Sequence, residues 1–165
     1  MSKIIDFLKQ DDTIVVLDLD GVMSIYEYGE LNHNPCHMDE FDDFLTNHDS
    51  YAKARPNKII QNFVNNKNPN NIYVCSHMLN LKEGKYKYNF IKKYYPSIPF
   101  KNIFLVGKVE DKLEVMKTIY YNEKMIKKIP ISEKNIAIIE DTVSTLSYIQ
   151  DNSNFTTVHI TSFMD

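Results

Sequence analysis

Five apolar segments alternate with amphipathic segments along the chain, and this alternation is the feature that most constrains the fold. The apolar segments are residues 13–19, 71–76, 102–106, 135–139 and 156–160. The first four are nearly continuous apolar runs, as expected for strands that are buried on both faces. The pattern predicts an α/β fold with a five-stranded parallel sheet and helices on both faces, the doubly wound, Rossmann-like arrangement.

The segments between the strands carry helix signals. Helices are predicted at residues 57–65, 85–95, 111–127 and 142–151. The segment 22–54 fits neither pattern well, because SIYEYGE alternates like a short hairpin and MDEFDDFLTN has the pattern of a short acidic amphipathic helix. We interpret 22–54 as a flap or minimal cap that is inserted after the first strand.

Length and charge limit the class of protein. A chain of 165 residues corresponds to about one domain, so residues 1–165 are interpreted as a single domain. The formal net charge of −3 is too balanced for a general nucleic-acid binder. No apolar run approaches the roughly 20 residues of a membrane span, and the N-terminus lacks a signal-like apolar region. We therefore expect a cytoplasmic protein with no membrane partner, in which Cys36 and Cys75 are reduced.

A pair of carboxylates follows the first predicted strand, in the order Asp18-Leu19-Asp20-Gly21. Side chains two residues apart on an extended segment point to the same side, so Asp18 and Asp20 should project together. Adjacent carboxylates repel each other unless a cation lies between them, which indicates a hard divalent metal such as Mg²⁺. Gly21 allows the backbone to turn close to a ligand. In open parallel sheets, ligands bind beyond this end of the strands.

Further polar groups follow the other predicted strands. Glu140 and Asp141 come directly after the fourth strand, and Ser76 ends the second. Lys112 lies at the start of the third predicted helix. Carboxylates, a hydroxyl donor and an ammonium are the groups needed to hold a metal and a phosphate together.

Four motifs in this order resemble those of the haloacid dehalogenase-like (HAD) hydrolase superfamily. VVLDLDGV is similar to the first motif, IYVCS to the second, EDKLEVMK to the third and IAIIEDT to the fourth. The motifs run from residue 14 to residue 142, which is most of the chain. Because the insertion is short, the sequence resembles the capless or minimally capped phosphatase branch.

The resemblance implies catalytic and phosphate-binding roles for four residues. Asp18 would be the nucleophile that forms an aspartyl-phosphate, and Asp20 the general acid that later acts as base. Lys112 would neutralise charge on the transferring group, with Lys108 as the alternative. Ser76 would donate a hydrogen bond to a phosphoryl oxygen. These roles imply a Mg²⁺-dependent phosphomonoester hydrolase.

The resemblance also implies a Mg²⁺ site. The ligands would be the side chains of Asp18 and Asp141 and the backbone carbonyl of Asp20, with Glu140 acting directly or through water. An acid at the position of Asp20 is typical of the phosphatase branches, so dehalogenation is not expected. A zinc site from His33, Cys36 and His37 lacks an evident fourth ligand.

The substrate is the part of the function that the sequence leaves open. The insertion combines aromatic residues with many acids, which would repel a long polyanion, so nucleic acid is not expected as a partner. The combination of aromatic and acidic residues favours a small phosphomonoester as the substrate, with a nucleoside monophosphate as one candidate. The alternatives are a polynucleotide 3′-phosphatase, a protein phosphatase and a non-catalytic phosphate-binding or regulatory domain. The role of His77 and the oligomeric state are also open.

Overall fold

A five-stranded parallel sheet forms the centre of the protein. A computed structural model describes residues 3–26, 35 and 37–164. The order of the strands in the sheet is β5-β4-β1-β6-β7. The strands are β1 (Ile14–Leu17), β4 (Ile72–His77), β5 (Ile103–Val106), β6 (Ile136–Glu140) and β7 (Thr156–His159). The predicted doubly wound, Rossmann-like sheet is confirmed.

Strand β1 lies in the middle of the sheet and pairs with a later strand on each side. Val15 is in register with Ile72 of β4 and with Ala137 of β6. The chain therefore builds the sheet outward from β1 in one direction through β4 and β5, and in the other through β6 and β7. The carboxyl ends of β4, β1 and β6 meet at this switch point, which is where doubly wound sheets bind ligands.

Helices cover both faces of the sheet. They are α1 (Lys3–Lys9), α3 (Lys58–Asn65), α4 (Leu81–Tyr94), α5 (Asp111–Tyr121) and α6 (Val143–Asn152). Helix α2 (Met38–Asn47) lies in the insertion and contributes no residue to either core. Side chains alternate along β1, so Val15 and Leu17 pack with α1, α3 and α4, whereas Ile14 and Val16 pack with α5 and α6. No helix among the described residues is both long enough and apolar enough to cross a membrane.

Several local features differ from the prediction. The apolar run 102–106 forms β5, but β5 is half-buried because it lies at an edge of the sheet, so the expectation of burial on both faces is wrong there. Helix α4 begins at Leu81, earlier than predicted, and α5 ends at Tyr121, where a π-helical turn, Asn122–Ile126, continues the chain. The N-terminal helix α1 was not predicted.

The insertion after β1 is anchored at both of its ends. Strand β2 (Ser24–Ile25) pairs antiparallel with β3 (Arg55–Pro56). Residues 27–30 of the predicted hairpin SIYEYGE lie outside the described residues. Next to this pair, Nδ2 of Asn57 donates to the carbonyl of Val22 at 2.9 Å, and the Tyr95 hydroxyl donates to the carbonyl of Met23 at 2.6 Å. Helix α2 forms as predicted between these anchors, and none of its residues is fully buried.

Candidate functional site

Three carboxylates cluster at the carboxyl ends of β1 and β6. Ligand atoms of Asp18, Glu140 and Asp141 all lie within 4.8 Å of one another. Asp18 follows β1, whose last residue Leu17 is in register with Ile139 of β6, and the amide of Asp18 donates to the Ile139 carbonyl at 3.0 Å. Pairing of the two central strands therefore brings the two acidic motifs of the sequence together.

Gly21 allows the loop after β1 to pass close to this cluster. Its φ of +72° lies in the left-handed region, which side-chain-bearing residues rarely adopt. A Cβ atom on Gly21 would lie 2.1 Å from Oδ2 of Asp141. Both the positive φ and the lack of room for a Cβ atom beside Asp141 thus require glycine at this position.

Lys112 is buried among the carboxylates. Its side chain extends from the first turn of α5, and Nζ lies 2.6 Å from Oε2 of Glu140 and 3.0 Å from Oδ1 of Asp18. Burial alone would lower the pKa of Lys112, but the charges of Asp18 and Glu140 outweigh it and the pKa is raised. Lys108 is exposed. Of the two lysines considered from the sequence, Lys112 is therefore the one in contact with the acidic cluster.

The cluster contains more negative charge than Lys112 can balance. Burial raises the pKa of Asp18, against the opposing effect of Lys112. Burial and the charge of Asp18 raise the pKa of Glu140 to about 7. Among the described residues, Oδ1 of Asp18 accepts no hydrogen bond of good geometry, although it is buried and Nζ of Lys112 is nearby. Three clustered carboxylates that share the ammonium of Lys112 suit a hard divalent cation.

Glu140 is better satisfied than the other two acids. Its Oε1 accepts hydrogen bonds from the amides of Asp141 and Thr142, both at 3.2 Å, while Oε2 accepts from Lys112. Thr142 occupies the N-cap position of α6, but its hydroxyl donates to Oδ1 of Asp141 at 3.2 Å rather than capping the helix. Asp18 and Asp141 are thus the acids with more capacity for a metal, and Glu140 orients the loop after β6 that carries Asp141.

The side chain of Asp20 lies beside the acidic cluster but has different partners. Its Oδ2 accepts a hydrogen bond from Nζ of Lys87 at 2.7 Å. Its Oδ1 accepts hydrogen bonds from the hydroxyls of Tyr26, at 2.5 Å, and Tyr51. Three donors from three parts of the chain thus fix the orientation of this carboxylate. The role of its backbone carbonyl as a metal ligand stays a prediction.

Lys87 is a buried cation that the sequence analysis missed. It lies on α4 with 1% exposure, and Nζ contacts Asp20, the Ser76 hydroxyl at 3.1 Å and the His77 carbonyl. Glu83, one turn earlier on the helix, lies 3.8 Å from the same ammonium. The helical spacing of Lys87 with Phe90 and Ile91 is the sequence feature that could have indicated burial, because the three residues lie on the buried stripe of α4. A lysine on such a stripe needs a buried partner.

One pocket brings the predicted site residues together. A cavity of about 530 Å³ beyond the sheet is lined by all six of them: Asp18, Asp20, Ser76, Lys112, Glu140 and Asp141. Ser76 is buried in β4. His77 also lines the cavity, and its Nε2 lies 3.2 Å from the Gly107 carbonyl. The site therefore combines a candidate cation site, two buried ammonium groups and a hydroxyl.

The alternative zinc site gains no support. His33 and Cys36 lie outside the described residues, and His37 is an exposed residue directly before α2. The acidic cluster is the sole candidate metal group within the part of the chain that the structure describes. Cys75 has a free, buried thiol, as expected from the sequence.

Neither a protein-family model nor a curated protein matches the sequence.

Proposed function

We propose that this protein is a Mg²⁺-dependent phosphomonoester hydrolase of the HAD type, which works through an aspartyl-phosphate intermediate. The observation that carries the proposal is the position of Asp18. This carboxylate lies at the base of one pocket, between the Lys112 ammonium and the other acids of the cluster, and the same pocket contains Ser76 and Asp20. Phosphoryl transfer to a carboxylate requires a nucleophile, positive charge on both reacting groups and a proton carrier. Here Asp18 would be the nucleophile, Lys112 and Mg²⁺ would supply the positive charge, and Asp20 would carry the proton.

Asp18 would attack the phosphorus atom of the substrate. One of its carboxylate oxygens forms a bond to phosphorus while the bond from phosphorus to the leaving oxygen breaks on the opposite side. A carboxylate and a phosphate dianion repel each other, so the step needs cations on both. Lys112, 3.0 Å from Oδ1 of Asp18, and the Ser76 hydroxyl would contact the phosphoryl oxygens.

The metal would be held by Asp18 and Asp141, with Glu140 bound directly or through water. When bound, Mg²⁺ would neutralise the negative charge that the cluster and the transferring phosphoryl group share. The clustering of Asp18, Glu140 and Asp141, with ligand atoms within 4.8 Å of one another, supports this arrangement. Asp18 and Asp141 reach the same point because β1 and β6 are neighbours.

Asp20 would exchange the proton with the leaving group. It would protonate the leaving oxygen as the bond to phosphorus breaks and then take a proton from the water that hydrolyses the intermediate. Hydrogen bonds from Lys87, Tyr26 and Tyr51 fix the orientation of the ionised Asp20 carboxylate, and one of these donors would move aside when Asp20 carries the proton. Release of inorganic phosphate restores the free Asp18 carboxylate.

Hydrolysis of p-nitrophenyl phosphate tests the proposal directly. We expect turnover that requires Mg²⁺ and that falls at least about 1000-fold in Asp18→Asn, because the amide is not a nucleophile. Asp151→Asn is the matched control, since Asp151 is exposed on α6. Rapid acid quench of the wild type should also trap a phosphorylated protein that Asp18→Asn does not form. Activity that survives in Asp18→Asn would contradict the proposed nucleophile.

A substrate panel separates the narrower possibilities. Nucleoside monophosphates, a 3′-phosphorylated oligonucleotide and a phosphopeptide represent the three candidate classes. Absence of turnover on every substrate, with Mg²⁺ present and phosphate binding retained, would favour a non-catalytic phosphate-binding domain. A cytoplasmic location is part of the proposal and is supported by the free thiol of Cys75.

A further inference from the structure

A second pocket adjoins the first at Asp20. It has a volume of about 710 Å³, and it shares Asp20, His77 and Asp141 with the pocket that contains Asp18. The two cavities therefore lie side by side at these residues. A molecule whose phosphate lies beside Asp18 would therefore extend past Asp20 into the second pocket.

The walls of the second pocket are mostly apolar and come from the insertion and the elements around it. Tyr26 and Tyr51 are in edge contact, with ring centroids 5.6 Å apart, and both direct their hydroxyls at Asp20. Their rings thus form the wall next to the site. Ile59 and Met164 also line the pocket, although 48% and 58% of their surface is exposed. Exposed apolar groups around a cavity mark a ligand site more often than a surface without function.

Helix α2 supplies another side of this pocket. Phe41 and Leu45, one helical turn apart, both line it. Both are half-buried, whereas the acids of the helix are exposed, namely Asp39, Glu40, Asp42 and Asp43. The helix has no fully buried residue, and its half-buried apolar pair Phe41 and Leu45 lines the cavity. This is the arrangement of a cover over a bound apolar group.

The charges around the second pocket do not suit an anion. Its described charged residues are three carboxylates, Asp20, Glu83 and Asp141, and one ammonium, Lys87. That ammonium already contacts Asp20 at 2.7 Å and Glu83 at 3.8 Å. A second phosphate or a carboxylate in this cavity would find Lys87, its described ammonium, already paired.

We propose that the second pocket binds the leaving group of the substrate, and that this group is an uncharged alcohol with an aromatic or apolar body. This inference rests on the proposed function and names the class of ester on which it acts. As the bond from phosphorus to the ester oxygen breaks and Asp18 bonds to phosphorus, the proton of Asp20 passes to that oxygen. The alcohol is then released from the aromatic side of Asp20. Nucleosides and arylalkyl alcohols belong to this class, whereas bisphosphates and oligonucleotides do not.

Three phosphate esters with similar leaving oxygens test the inference: 2-phenylethyl phosphate, ethyl phosphate and ethane-1,2-diol bisphosphate. We expect kcat/KM for the phenylethyl ester to exceed that for the ethyl ester by roughly 30-fold, from burial of the ring. The bisphosphate should be the poorest substrate. Phe41→Ala and Leu45→Ala should each lower kcat/KM for the phenylethyl ester about tenfold, which is a larger loss than for ethyl phosphate, so the ratio of the two monoesters should fall.

Phe44→Ala is the matched control, because Phe44 lies on the same helix, is half-buried and stacks on His48 instead of lining the pocket. It should leave the ratio of the two monoesters unchanged. Equal kcat/KM for all three esters, or a preference for the bisphosphate, would overturn the leaving-group assignment while leaving phosphatase activity intact. Calorimetry of 2-phenylethyl phosphate with Asp18→Asn supplies a readout without turnover. There, adding Phe41→Ala should weaken binding about tenfold, whereas adding Phe44→Ala should not.

Discussion

Individual residues in this site are constrained by contacts that their neighbours in the sequence do not share. Gly21 shows this most clearly, because its φ of +72° and the 2.1 Å approach of a hypothetical Cβ to Asp141 act together. The first constraint costs a side-chain-bearing residue about 1 kcal/mol. The clash of a Cβ atom with Asp141 cannot be relieved unless Asp141 moves, and Asp141 is one of the proposed metal ligands.

Gly21→Ala should therefore weaken Mg²⁺ binding more than it weakens the fold. We expect the dissociation constant for Mg²⁺ to rise at least about tenfold, because a displaced Asp141 removes one carboxylate from the site. Calorimetric titration with Mg²⁺, together with thermal unfolding in the absence of metal, separates the two effects.

Gly107→Ala is the control for this change. A Cβ atom on Gly107 meets no heavy atom within 4 Å, so its effect on unfolding should stay within about 0.5 kcal/mol. If Gly21→Ala binds Mg²⁺ as tightly as the wild type, the loop after β1 does not constrain the metal site.

Secondary-structure elements determine which side chains reach the site, and here local pattern and long-range packing contribute differently. Strands β1, β4 and β6 follow from their apolar runs, because central strands are buried on both faces whatever their partners are. The residues at their ends, Asp18, Ser76 and Glu140, could therefore be assigned to one site from the sequence. The pairing of β2 with β3 depends on contacts between distant segments, and no local pattern specifies it.

Helix α4 illustrates the limit of prediction at this scale. Its buried stripe could be expected from the apolar residues, but the partner of Lys87 on that stripe could not. Asp20, Ser76 and the His77 carbonyl come from two other elements, and they meet the ammonium only once α4 packs on the sheet. Tyr26 and Tyr51 likewise reach Asp20 only through the folding of the insertion.

Lys87→Met tests whether α4 positions the catalytic groups. Loss of the ammonium leaves Glu83 and Asp20 without their shared cation, so we expect the free energy of unfolding to fall by about 3 kcal/mol. If Lys87 orients Asp20 and Ser76, kcat should also fall roughly tenfold, with a smaller change in KM. Steady-state kinetics on p-nitrophenyl phosphate and denaturant unfolding measure the two effects.

Two further variants separate positioning from stability. Lys85→Met removes an exposed lysine from the same helix and should change neither quantity. Lys87→Arg keeps the positive charge and should recover part of kcat. Full kcat in Lys87→Met, despite lower stability, would mean that the ammonium supports the fold alone.

At the scale of the whole molecule, the net charge is small, but negative charge is concentrated at one site. The net charge is −3, yet four carboxylates and two ammonium groups meet where β4, β1 and β6 end. Two apolar cores, one on each face of the sheet, lie next to these groups and partly exclude water from them. Burial of this excess negative charge makes the stability of the metal-free protein depend on pH.

Glu140 determines the direction of that dependence. Burial and Asp18 raise its pKa from 4.5 to about 7 in the folded, metal-free protein. A carboxyl group with a raised pKa stabilises the fold fully below its unfolded value, and this contribution is lost as pH rises through the folded value. Asp18, whose pKa is also raised, acts in the same direction. Without metal, the melting temperature should therefore fall as pH rises from about 5 to about 8.

Mg²⁺ should reverse this trend, because at the proposed site it would bind the deprotonated carboxylates that destabilise the metal-free fold. At about pH 8 and 100 times its dissociation constant, Mg²⁺ should stabilise the protein by about 2.7 kcal/mol. Its effect should shrink below about pH 7, where a proton on Glu140 competes with the metal. Thermal unfolding in chelator and in Mg²⁺ across this range measures both trends. Glu140→Gln should flatten the slope in chelator, whereas a Mg²⁺ effect that is the same at every pH would contradict a metal site built on these carboxylates.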